Sequence, residues 1–128
     1  MERKTGGRVD STSADNLIAK LYPQPDSFIV ELKTPGEYKR GTVLTMESDG
    51  KYEVLGVGIG AAGAVLADDT LEEDESAAAY RSGHFNRKAL ICGTVKAKKE
   101  GEEDTPYELT AADEDNLRRA GIFLSDMI

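Results

Sequence analysis

Few residues in this chain are of types that do chemistry. They are one histidine, His84; one cysteine, Cys92; Ser82, two positions before the histidine; glycines at 58, 60 and 63; and an acidic run, Asp68, Asp69, Glu72, Glu73, Asp74 and Glu75. A nucleophilic serine needs an imidazole within hydrogen-bond reach and a third group to orient that ring. Ser82 and His84 sit two apart on one extended segment, and no nucleophile-elbow sequence surrounds the serine. A thiolate at Cys92 would have to use the same histidine as its base, so the cysteine reads as a small buried hydrophobe. None of the roles a catalytic site needs is visibly filled, and the chain is expected not to be an enzyme.

Gly58, Gly60 and Gly63 match G-x-G-x-x-G directly after a strand-like segment. In a dinucleotide-binding unit such glycines allow a tight turn and bring a pyrophosphate onto a helix N-terminus. Here Ala64 to Asp68 reads as a strand, and the acidic stretch after it leaves no room for a crossover helix. A small nucleotide-binding protein using this loop is therefore the alternative reading, and a bulged strand connection the leading one. The acidic run lacks the ligand order and mid-loop glycine of a calcium-binding loop and reads as solvated. No cofactor and no metal are expected.

The elements that must position these residues are short. Gly63–Ala67 and Ala77–Tyr80 read as two strands joined by the acidic connector. Gly83 breaks the second strand, and Asn86 caps a short helical turn at Arg87-Lys88-Ala89-Leu90. Residues 41–46 and 51–55 form a hairpin, because Asp49-Gly50 supplies the positive φ that a tight turn needs. Tyr52 and Val54 should lie on a half-buried face, opposite Lys51, Glu53 and Leu55. Lys96 to Asp104 reads as a charged loop. The spacing predicts a helix over Ala111 to Ala120, with a capping-box-like start at Thr110, Arg118 and Arg119 in its last turn, and Gly121 as its stop. Ile122-Phe123-Leu124 then closes the core as a strand or docked tail.

The chain divides by composition. Leu, Ile, Val and Phe number 27 of 128 residues, and only four of them precede Phe28, so the core must be built after that point. Residues 1–40 are expected to be an N-terminal arm carrying one strand, flexible when unbound, and residues 41–128 a compact β-rich body. Leu17, Ile18 and Leu21 are spaced for one weak amphipathic turn. Phe28, Ile29, Val30, Glu31 and Leu32 alternate as a strand, with Phe28, Val30 and Leu32 on one side. That strand is either an ordinary edge of the body's sheet or one held out for a neighbouring chain.

Net charge is −8, and it is uneven. Residues 1–40 hold seven Lys/Arg against six Asp/Glu, while the remainder holds nine against eighteen. An acidic body argues against nucleic acid, whose affinity comes from Lys and Arg neutralising phosphates. A single cysteine excludes a disulfide within the chain. No apolar run reaches the ~18 residues of a membrane span, and the N-terminus lacks a signal-peptide core, so no membrane association and a cytoplasmic origin are expected.

Three segments carry a resemblance: GAVLADDT at 63–70, AYRSGHFN at 79–86, and GIFL at 121–124 after a short helix. Together with the 41–44 hairpin strand, they resemble the head decoration proteins of tailed bacteriophages, the lambda-like type, over about residues 38–125. The resemblance implies a mainly β body with short helices, of the β-clip kind, assembled as a homotrimer. It implies a place on the outside of an expanded icosahedral head, bound to the major capsid protein and stabilising the shell, with the host cytoplasm as the site of assembly. It implies N-terminal arms that are mobile when free and ordered on the capsid, and it carries no catalytic residues. The arm here is rather long and the body more acidic than that family's pattern. On this reading Phe28, Ile29, Val30, Glu31 and Leu32 form a capsid-binding strand, with Phe28, Val30 and Leu32 filling pockets on the shell. A generic structural interaction module fits the composition equally well.

Overall fold

Asp49-Gly50 does reverse the chain, with Gly50 at φ +84°, between β3 (Val43–Met46) and β4 (Tyr52–Val54). The computed structural model describes residues 16–95, 101, 103 and 105–126. Residues 1–15 of the expected arm and most of the charged loop at 96–104 lie outside the described residues.

The protein is mainly β, and β6 (Ser76–Asn86) is its spine. The first half of β6 pairs antiparallel with β2 (Asp26–Glu31) on one side and with β5 (Ala61–Leu66) on the other. Strand β5 pairs with β3, and β3 with β4. All of these pairs are antiparallel, so a ring of five strands cannot close without one parallel contact. That contact exists: Leu32, just past β2, bridges Tyr52 in parallel, and the Lys33 N–H donates to the Tyr52 carbonyl at 2.8 Å. The Thr34 hydroxyl donates to the Glu53 carboxylate at 2.7 Å beside the same seam. The five strands thus form a small closed barrel, filled by Val30, Leu32, Leu44, Val54, Ala64, Leu66 and Ala79.

The second half of β6 leaves the barrel and runs between β1 (Ile18–Lys20), antiparallel, and β9 (Ile122–Ser125), parallel. Gly83 makes the change of direction. Its φ is +144°, and a Cβ there would stand 2.7 Å from the Phe85 ring, so both its backbone and its bare α-carbon are needed. A second core lies between the barrel wall and α1 (Ala111–Ala120): Leu17, Val43, Leu55, Val65, Phe85, Leu117 and Ile122. Neighbouring residues such as Val43 and Leu44 are both fully buried, because β3 has one core on each face.

The helix runs as its sequence dictates. The Thr110 hydroxyl accepts from the Asp113 N–H at 3.1 Å, the Asp113 carboxylate accepts from the Thr110 N–H at 3.0 Å, and Gly121 ends the helix at φ +109°. Asn86 caps the next turn, a 3-10 turn at Arg87–Ala89, by accepting from the Lys88 N–H. A small hairpin of β7 (Thr94–Val95) and β8 (Thr105–Pro106) completes the described elements.

Four expectations are corrected. The division at residue 40 is not a division of packing, since Leu17, Val30 and Leu32 are buried in the two cores. Ile18 to Lys20 is a strand rather than a helical turn, because β6 offers a ladder partner that outweighs a single amphipathic turn. Gly83 bends β6 without ending it. Glu53 is buried, not solvent-facing, its carboxylate accepting from Thr34 and from the Val54 N–H.

Candidate functional site

Ser82 and His84 take different hydrogen-bond partners, and the hydroxyl that meets the imidazole is that of Ser125. The Ser82 hydroxyl donates to the Gln24 carbonyl at 3.0 Å, while His84 Nε2 lies 3.1 Å from the Ser125 hydroxyl. Cys92 packs at the margin of the second core, where burial, and then the nearby Asp113 charge, push its thiol pKa up and away from thiolate chemistry. His84 and Cys92 line different cavities.

The glycine motif has a different use. The buried Glu47 carboxylate, at the end of β3, accepts from the Ile59 N–H at 3.2 Å, the Gly60 N–H at 2.9 Å and the Thr45 hydroxyl at 2.7 Å. A carboxylate therefore occupies the position a phosphate would need, and the loop runs on into β5 rather than into a helix. Gly58 and Gly60 are required because a side chain there would run into Thr45 Oγ1 and the Met46 carbonyl respectively. Nothing in the local spelling of the loop announces Glu47, which stands eleven residues before Gly58.

The Thr45 hydroxyl, joined by the Gly60 and Ile59 amides and by Lys33, outweighs the effect of burial and holds the Glu47 carboxyl below the ordinary carboxylate range. A depressed folded-state pKa contributes stability that is present above the unfolded value, about 4.3, and is lost as pH falls through the folded value. Glu47→Gln should cost about 1–3 kcal/mol at neutral pH, since its amide turns a donor toward three donors. The gap in melting temperature between the two proteins should narrow from pH 7 toward pH 3. A gap that stays constant across that range would show that the Glu47 charge has no part in holding the loop.

The acidic run is a built loop rather than a loose one. The Thr70 hydroxyl donates to the Gly36 carbonyl at 2.6 Å and accepts from the Tyr38 N–H at 2.9 Å. The Asp69 carboxylate accepts from the Arg40 N–H at 2.7 Å, and Asp74 accepts from the Leu71 N–H at 2.8 Å. No group of three or more His, Cys, Asp or Glu side chains among the described residues is arranged to hold a metal ion.

What remains as candidate site is surface. Of the five residues expected to bind a shell, Val30 and Leu32 are in the barrel core and Phe28 is half-buried against it. Ile29, 71% exposed, and Glu31 face outward. The alternation is as the sequence suggests, but the face is reversed: the side assigned to pockets on a partner is this protein's own interior. Sequence reasoning missed two apolar surfaces. One is the tip between β1 and β2, where Leu21 and Tyr22 are 81% and 86% exposed. The other is one end of the barrel, where Phe28, Met46, Tyr52, Ala61 and Arg81 of the strands and Asn116, Arg119 and Ala120 of α1 line one cavity of about 520 Å3. Only the placement of five separate strands and the helix creates the second. No protein-family model matches the chain, and no curated protein matches it.

Proposed function

We propose that this protein is a non-enzymatic capsid decoration protein that binds the outside of an expanded phage head as a homotrimer and stabilises it, with the major capsid protein as its partner. The observation that carries the reading is the way three separated segments come together. Residues 63–70 and 79–86 hold the paired parts of β5 and β6, and residues 121–124 lie along the end of β6, with Gly83 opposite Ile122 and Phe85 opposite Leu124. The sequence likeness to phage decoration proteins therefore falls on one continuous piece of packing rather than on scattered words.

Attachment is placed at the N-terminal side. Leu17 is buried and anchors the chain, and the exposed Leu21-Tyr22 tip lies close by in sequence. Residues 1–15, with that tip, are the segment read as engaging the shell, in place of the strand at 28–32. The test is co-sedimentation with empty expanded heads, using the full chain and a chain lacking residues 1–15. The full chain should pellet with heads to saturation, and the shortened chain should stay in the supernatant while keeping the same circular dichroism. Equal binding by both places attachment on the body. A full chain that never pellets with heads ends the decoration reading.

A further inference from the structure

Two features at opposite ends of the barrel complement each other. At one end, the cavity is lined by the apolar Phe28, Met46, Tyr52 and Ala61 together with Arg81 and, from α1, Asn116 and Arg119. Met46 is exposed there, and the Tyr52 ring meets Phe28 edge-on at 6.1 Å. Both arginines have partners, Asp26 at 3.3 Å and Asp115 at 3.1 Å, but these pairs are solvent-exposed and so hold their guanidinium groups weakly. Each guanidinium keeps further N–H donors for a second carboxylate.

At the other end, the Asp68–Glu75 loop joins the last residue of β5 to the first of β6 and puts forward Leu71, 62% exposed. Asp68 and Asp69 precede that leucine, and Glu72 and Glu73 follow it. The loop is held in shape by the Thr70, Asp69 and Asp74 hydrogen bonds and by the Leu32 N–H donating to the Glu75 carbonyl at 2.8 Å. An apolar tip held rigidly and set in negative charge loses little freedom on docking. Its complement is an apolar hollow whose Arg81 and Arg119, each already paired with one carboxylate, keep donors for another. The two cannot meet within one molecule, because the six residues of β5, Ala61–Leu66, alone span about 17 Å between them. Between molecules they can.

We propose that neighbouring copies of this chain join head to tail, with Leu71 of one copy seated in the barrel-end cavity of the next and its flanking carboxylates meeting Arg81 and Arg119. The inference rests on the homotrimer reading above. A contact between two different patches is heterologous, and it yields a closed ring when the rotation between copies closes. Three such contacts per ring would leave no loop and no cavity unfilled.

The experiment is the oligomeric state by light scattering from nanomolar to micromolar concentration, with circular dichroism to confirm folding. The wild-type chain should be trimeric. Leu71→Glu and the pair Arg81→Glu/Arg119→Glu should be folded monomers over a range in which the wild type is assembled, with dissociation at least tenfold easier. Leu71→Ala, the milder change, should fall between. A chain combining Glu72→Lys, Glu73→Lys, Arg81→Glu and Arg119→Glu should recover the trimer, a rescue that a folding defect cannot produce. If the wild type is trimeric and the variants assemble as well as it does, the head-to-tail contact is wrong while the trimer stands. If those variants assemble yet no longer bind heads, the cavity belongs to the capsid protein and the inference is overturned. A wild type that stays monomeric overturns both.

Discussion

Removing residues 1–32 should leave a chain that does not fold, whereas removing residues 1–15 should leave the melting temperature almost unchanged. The longer deletion takes away β2, which pairs with β6 from Asp26 to Glu31, and with it Leu17, Val30 and Leu32. Burying three such side chains contributes about 1.5–3 kcal/mol each, before any ladder hydrogen bond is counted. That is of the same order as the whole stability of an ordinary domain, roughly 5–15 kcal/mol. It also opens the ring at both edges of β2, exposing the unpaired side of β6 to other chains. The shorter deletion removes none of the described contacts. Far-UV circular dichroism and a urea titration of both products would decide the matter. A cooperative unfolding transition in the 33–128 fragment would mean that the barrel closes without its fifth strand.

The second large effect is expected at Phe85. Its ring is fully buried, lies 5.2 Å from the Tyr80 ring, and fills the space under Gly83 where no side chain can go. Phe85→Ala should cost about 3–5 kcal/mol, since transfer and cavity contributions add in a core that cannot collapse around a bent strand. For a chain of this size that corresponds to a fall in melting temperature on the order of 10–20 °C. The comparison belongs at one fixed protein concentration, because assembly would shift both values. A loss below about 1 kcal/mol would place the ring outside the core.

Much of the fold was legible where a local rule has one outcome. Asp49-Gly50 allows one kind of reversal, and Thr110 with Asp113 and Gly121 marks both ends of a helix in ten residues. The apolar runs Gly63–Ala67 and Ala77–Tyr80 likewise read as strands, and they fall within β5 and β6 to within a residue or two at their starts and at the end of β5. Other features were hidden because their cause lies far away in the chain. The alternation of Phe28, Val30 and Leu32 shows that they share a face, but not that the cover for that face is β4 and β5 of the same molecule. Leu17 and Ile18 fit a helical turn until β6 is there to pair with them. Glu53 looks like an ordinary outward carboxylate until Thr34 is brought beside it across the seam. The glycine pattern at 58–63 was readable as a word, and only the Glu47 carboxylate against its amides shows the loop already filled from within.

The continuity of β6 has a mechanical consequence. Its eleven residues, Ser76–Asn86, belong to the barrel at one end and to the β1–β9 layer at the other. At about 3.4 Å per residue its contour length is roughly 35 Å, with the bend at Gly83 near one end. A pull applied near the β1–β2 tip and resisted at the acidic loop is carried along this one strand, as along a tie-rod. The ladder with β2 is then loaded in shear, so its hydrogen bonds must give way together rather than one after another, as they would in a peeled hairpin. For the decoration role proposed above, strength would come from that direction of loading more than from the number of bonds in the ladder.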